Sequence, residues 1–187
     1  MIKAEIVGHS LSPQGDELIS VLCTFPRIIL AEVNTHRMLS KNTSSSRAIP
    51  FKKMVEAVRT NPFIPIAWQK EHKGMQGREY ITDKDSLKYI NEDWLEARDS
   101  AVEIAQRLNI GLNKKNENGN YEATIDEFKV DKVTKQLCNR LLEPFMWTTM
   151  LITGSKEGWD NFHSLRNPIY EIDLDNLDKL ITNGNTL

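Results

Sequence analysis

The stretch THRMLSKNTSSSRAIPF, residues 35–51, follows directly on PRIILAEVN, residues 26–34, and the change in character between the two decides how the chain reads. The first segment is apolar enough to lie inside a protein. The second gathers His36, Arg37, Lys41, Asn42, Arg47 and the serines 40, 44, 45 and 46. Guanidinium forks beside hydroxyl and amide donors are what an anion such as a phosphate needs, several charge-assisted hydrogen bonds converging on one group. The plainer alternative is a solvated helix end and loop. Cations at a helix C-terminus offset its macrodipole, and serine and asparagine are common loop formers. Composition alone prefers that alternative.

Working outward, Pro26 suits the first turn of a helix, and the pattern predicts a helix from there to about Leu39. On such a helix Glu32, Thr35, His36 and Leu39 share a side, and Arg37 points about 100° from His36. NTSSSRAI is predicted to run extended. Pro50 opens a second helix with Phe51, Met54, Val55 and Val58 at helical spacing, stopped by Asn61-Pro62. KAEIVGHSL and ELISVLCTF read as two strands joined by the turn SPQGD. Residues 61–82 read as ordered but irregular. A long helix is predicted from about Asp85 to Leu108, with Leu87, Ile90, Trp94, Ala97, Ala101, Ile104, Ala105 and Leu108 on its apolar face. Residues 115–128 read as a polar surface loop or hairpin. A further helix is expected over Val130–Leu142, then a buried strand in PFMWTTMLIT and a short helix in KEGWDNFHSLR. The sum is an α+β chain, a small antiparallel sheet packed on a helical bundle, in a single domain over residues 1–187 with a divergent tail at 168–187.

The bulk numbers narrow the function. The chain has 187 residues, 40% hydrophobic and 27% charged, with net charge −2 and pI about 6.1. That balance gives no general attraction to nucleic acid or to an anionic membrane, so an anionic ligand has to be met by a local cluster. No apolar run approaches the roughly 18 residues that span a bilayer, and the amino end lacks the charged-then-apolar layout of a secretion signal. A cytoplasmic protein is expected. Cys23 and Cys138 sit in apolar surroundings, as small core residues do, and the four histidines show no paired ligand spacing, so no metal site is expected.

The ordered positions carry more than the composition. From His36 to Arg47 the chain reads HRxxSxNxxSxR, with seven residues between Arg37 and Ser45. This resembles the signature of the flavin-dependent thymidylate synthases, RHRxxSxNxxSxRY, and NRLLEPFMWTTMLITGSKEGWDNFHSLR (139–166) resembles that family's later block in content and distance. The resemblance covers roughly residues 20–60 and 130–167. It implies methylation of dUMP to dTMP with methylenetetrahydrofolate as one-carbon donor, FAD as cofactor, NADPH as reductant, and a homotetramer with sites shared between subunits. It needs no attacking cysteine.

Carried over by position, His36, Arg37, Thr43, Ser155 and Asn161 are the expected flavin-binding residues. Glu32, Thr35, Ser44, Ser45, Ser46, Arg47, Arg140 and Arg166 are the expected nucleotide-binding ones. Arg166 is the expected catalytic group, because a fixed cation beside the pyrimidine stabilises charge as C5 becomes nucleophilic. Read without the family, Arg166 is a helix-end cation, Arg140 is a surface partner of Glu143 three residues on, and Trp147, Trp159 and Phe162 are core residues before they are stacking platforms. Two positions depart from the motif: Thr35 stands for its first Arg and Ala48 for its Tyr. Lys41 and Arg27 are the cations nearest in sequence to replace what Thr35 lacks. The alternative function is accordingly a nucleotide- or flavin-binding homologue with lost or altered activity, such as hydroxymethylation of a pyrimidine nucleotide. A module binding phosphate or nucleic acid through Arg37, Lys41 and Arg47 fits the acidic chain least.

Overall fold

Strand β1 (Lys3–Leu11) and strand β2 (Glu17–Pro26) form the expected hairpin around Gly15, whose φ of 94° needs a residue without Cβ. The computed structural model describes residues 2–73, 79–111 and 131–166, together with the backbone of the short strands 170–172 and 180–182. The predicted loop at 115–128 lies outside the described residues. Two more strands complete the sheet, β3 (Ser40–Thr43) and β4 (Trp147–Ser155). The order is β1-β2-β4-β3 and every pairing is antiparallel. Because β4 pairs with both β2 and β3, the later sequence block lies in register beside the earlier one, with Thr43 opposite Met150 and Pro26 opposite Trp147.

Alternation along β2 and β4 sends Phe25, Met150 and Ile152 to one face. That face is covered by Leu30 and Val33 of helix α1 (Leu30–Asn34) and by Trp159 and Phe162 of helix α5 (Lys156–Arg166). A second core joins Met54, Val55 and Val58 of helix α2 (Phe51–Thr60) with Val102 and Ala105 of helix α3 (Lys84–Ile110). Helix α4 (Lys135–Arg140) adds Cys138, and Leu142, Phe145 and Met146 close it. Leu142 and Val102 are fully buried, and burying side chains of this kind is worth about 1.5–3 kcal/mol each. The architecture is one α+β domain with a four-stranded antiparallel sheet.

Several expectations are corrected. The helix predicted to reach Leu39 is a 3-10 turn at Arg27–Ile29 followed by α1, which stops at Asn34. Thr35 ends it by turning its hydroxyl back onto Glu32 O at 2.6 Å. Lys41 Nζ donates to Asn34 O at 3.1 Å and to His36 O, satisfying carbonyls a continuing helix would have bonded. His36 and Arg37 therefore sit in a turn, and the shared helical side expected for Glu32, Thr35, His36 and Leu39 does not exist. The helix expected over Val130–Leu142 is only α4, six residues long, because Thr134 begins it and Glu143-Pro144 breaks it. In α3 the expected Ala105 is fully buried, but its buried companion is Val102, which was not on the expected face, and Ile104 is 41% exposed. The helix starts one residue early, at Lys84, capped by Asp83, which accepts from Ser86 N–H at 2.8 Å, and it closes on Gly111 in left-handed conformation. In the tail, β5 (Tyr170–Ile172) pairs with β6 (Leu180–Thr182).

Candidate functional site

The motif loop is held from outside itself. Beyond Thr43, Ser44 continues the pairing with β4, its N–H donating to Thr149 O at 2.9 Å. Ser46 is 3% exposed, and its hydroxyl donates to Glu143 Oε1 at 2.7 Å. Asn139, fully buried on α4, donates its amide protons to Ser46 O at 2.7 Å and Ile49 O at 3.0 Å. Arg47 Nε donates to Gln136 Oε1 at 3.2 Å. Gln136 and Arg140 are one turn apart on α4, hence on one side of it. The loop and the helix thus bring Arg47 and Arg140 to the same exposed surface, with Ser45 exposed in the same loop. Arg140 makes no ion pair among the described residues. The local pairing of Arg140 with Glu143 is not what forms, because Glu143 turns to Arg27 instead.

Arg27 ties the motif loop to β4 and to Glu143. Its side chain is 12% exposed. Nη1 donates to Ser44 O and to Thr148 Oγ1, each at 3.3 Å, and Nη2 to Ser46 Oγ at 3.4 Å. Nε lies 3.0 Å from Glu143 Oε1 with its N–H aimed off that line, so the contact is a close charge pair more than an aligned hydrogen bond. Arg27 and Glu143 line a cavity of about 520 Å³ together with Ile28, Ala31, Asn34 and Arg140. Neither Glu32 nor Thr35 lines it; both are exposed on or beside α1. Sequence reasoning missed Glu143 as a site residue, and took Arg27 only as a stand-in for Thr35, because these two partners are remote from each other in sequence; Asn34, whose carbonyl accepts from Lys41, gave no signal of its own. The only sequence signal was a charged residue placed on each side of an apolar block.

Of the expected flavin residues, Ser155 precedes α5, Asn161 lies on it, and His36 is packed against it. His36 meets Phe162 edge-on, centroids 4.8 Å apart, and Trp159 stacks on His163 at 6.1 Å. Close approach there depends on two glycines: a Cβ on Gly158 would lie 3.0 Å from Met38 O, and one on Gly154 would lie 2.5 Å from Leu39 Cδ2. Arg37 and Asn161 are exposed, and no side-chain partner engages either among the described residues. Ser155 Oγ accepts from Gly158 N–H at 3.2 Å at the start of α5, while Thr43 is half-buried in β3. Trp159 and Phe162 are core, and Trp147 stands edge-on to Phe63. Arg166 closes α5, and its side chain lies outside the described residues.

Of the cations nearest to Thr35, Lys41 is tied to the end of α1, and desolvation by burial lowers its pKa below the usual lysine value. Arg27 is tied to Glu143. Neither is available to replace the missing arginine. Both cysteines are free thiols whose pKa is raised by burial, the opposite of what a nucleophile needs. Among the described residues no helix is long and apolar enough to cross a membrane, and no three His, Cys, Asp or Glu cluster as metal ligands.

No family model and no curated protein matches the chain. Among solved structures it is similar to two crystal structures of the UMP/dUMP methylase PolB from Streptomyces cacaoi, one bound with 5-Br dUMP and one with 5-Br UMP. The TM-score is 0.61 in both; identity is 15% and 16%, covering 89% of this chain and 78% and 76% of that one. The likeness is one of fold.

Proposed function

We propose that the chain is an enzyme that modifies the ring of a pyrimidine nucleoside monophosphate, in its fullest form a flavin-dependent thymidylate synthase converting dUMP to dTMP. One observation carries this reading: the buried Asn139 and the Gln136–Arg47 bond bring the motif loop and α4 together, so that Arg47 and Arg140 reach one surface beside a cavity. Two guanidinium groups, with the exposed Ser45 on the same loop as one of them, suit a phosphate dianion. The shared fold with a protein described as a UMP/dUMP methylase supports the same substrate class.

For FAD the residues present fit. Arg37 and Asn161 are exposed beside an aromatic cluster, with no side-chain partner among the described residues, and Gly154 and Gly158 let Met38 and Leu39 pack close against that cluster. Arg37, Asn161 and His36 would hold it, and FAD when bound supplies the hydride that completes the methyl group. Arg140 and Arg47 bind and orient the phosphate, and Arg166 is proposed to polarise the uracil. Methylenetetrahydrofolate and NADPH are the proposed co-substrates. Side chains left open on the sheet, Ile6 at 68%, Leu11 at 65% and Leu22 at 37% exposed, support assembly with further copies, a homotetramer in this reading.

A second reading has its own observation. Thr35 spends its hydroxyl on Glu32 O, and neither Lys41 nor Arg27 stands in for the lost arginine. That favours a homologue with altered or absent turnover, the hydroxymethyl transfer included. Titration of the purified protein with FAD and with dUMP, then mass analysis of products formed from labelled methylenetetrahydrofolate, separates the two. Binding with a labelled methyl product supports the synthase, and binding without it supports the second reading. No affinity for either ligand overturns both.

A further inference from the structure

We propose that Glu143 reads a sugar hydroxyl of the bound nucleotide, with Arg27 as the positioning residue that holds its carboxylate in place; the inference rests on the nucleotide reading above. The two ends of this pair are unlike. Arg27 is 12% exposed and spends its guanidinium on Ser44, Ser46, Thr148 and Glu143, whereas the Glu143 side chain is 33% exposed and lines the cavity. Oε1 of Glu143 is engaged on its inner side, accepting from the Ser46 hydroxyl at 2.7 Å and paired in charge with Arg27 at 3.0 Å. Oε2 has no partner among the described residues. A carboxylate oxygen only accepts, so the group that completes this one must bring an O–H or N–H.

Charge sorts the candidates. A phosphate is repelled by Glu143 and drawn to Arg140, whose guanidinium makes no ion pair among the described residues and lines the same cavity. The rest of the lining is Ile28, Leu30, Ala31 and Pro144, whose side chains carry no donor or charge, and Asn34. A ligand that satisfies both walls carries an anion at one end and a free hydroxyl away from it. A nucleoside monophosphate does so through its sugar. A purely structural purpose explains the pair less well, since a buried ion pair is often no more stabilising than apolar residues of the same size. An ion pair with one oxygen left open on a cavity has a use that an apolar pair lacks.

The test compares dUMP, UMP and 2′,3′-dideoxy-UMP by equilibrium binding to the full-length protein and to the double variant Arg27→Met/Glu143→Leu, which replaces charge by apolar bulk. The wild type is expected to bind the dideoxy compound roughly tenfold or more weakly than dUMP, the worth of a hydrogen bond to a charged group. In the double variant the two ligands are expected to fall within about threefold of each other. Equal binding of both ligands by the wild type overturns the proposal, and so does full discrimination retained in the variant. Should the variant not fold, Glu143→Gln keeps the shape without the charge, and undiminished discrimination there overturns the proposal as well. Failure of the wild type to bind either dUMP or UMP is a different result, and it removes the nucleotide reading itself.

Discussion

Asn139 on α4 and Ser46 in the motif loop, 93 residues apart in sequence, are joined by a 2.7 Å hydrogen bond from the Asn139 amide to the Ser46 carbonyl, wholly out of water. A second proton of the same amide reaches Ile49 O at 3.0 Å. One side chain thereby sets the position of the loop that carries Ser45 and Arg47. Asn139→Asp turns two donors into acceptors facing two carbonyls, while Asn139→Ala merely leaves those carbonyls unpaired. The alanine variant is expected to lose about 1–3 kcal/mol, a fall in Tm of roughly 2–4 °C per kcal/mol for a chain of this size. The aspartate variant is expected to lose more. Thermal melts of the two variants check the order.

That bond also marks the limit of what the sequence disclosed. The hairpin, α2 and α5 were legible because their apolar spacing is local, and Met54, Val55 and Val58 are buried as the pattern predicts. The ends of α1 and α4 were not. What stops α1 is Lys41 returning to Asn34 O and His36 O, an event outside any periodicity. At the site, the ordered motif pointed to Arg47 and Arg140, and the fold supplies the helix face on which they meet. Glu143 was read against Arg140 because the two are near in sequence. Its partner, Arg27, lies over a hundred residues away, and no local rule reaches that far.

Thr35→Arg tests the departure that separates the two functional readings. Thr35 is exposed, and among the described residues its hydroxyl bonds only to Glu32 O, so the longer side chain displaces no packed group there. A guanidinium restored there is expected to tighten dUMP or FAD binding roughly tenfold, the worth of one charge-assisted bond. Isothermal titration with each ligand measures it. Affinity unchanged for both means that this corner no longer faces a ligand.

The two glycines beside α5 differ in what opposes them. A Cβ at position 154 meets Leu39 Cδ2 at 2.5 Å, the end of a side chain that has rotamers to use, whereas one at 158 meets the Met38 carbonyl at 3.0 Å. Backbone gives way less readily. Gly158→Ala is therefore expected to cost about 1–3 kcal/mol, the range for overpacking. It should also push the 36–38 turn outward and weaken FAD binding, read from flavin fluorescence quenching. Loss of stability with flavin affinity intact would separate that turn from the cofactor.

Stability at alkaline pH follows from the two thiols. Burial raises the pKa of both Cys23 and Cys138 above the ordinary 9.0. The folded chain then keeps the thiol protons over a range in which the unfolded chain has released them. Unfolding releases protons there, and stability falls as the pH climbs from 9.0 towards the raised values. Below that range the contribution is fully present. Urea midpoints taken between about pH 8 and about pH 10 are expected to fall more steeply for the wild type than for Cys23→Ala/Cys138→Ala, since only the former carries thiols that titrate differently in the two states. The same burial protects them chemically. Modification by a thiol-specific disulfide reagent at neutral pH is expected to be at least about tenfold slower in the native protein than in urea. A rapid native reaction at either cysteine would show an activated thiol and return a cysteine nucleophile to consideration.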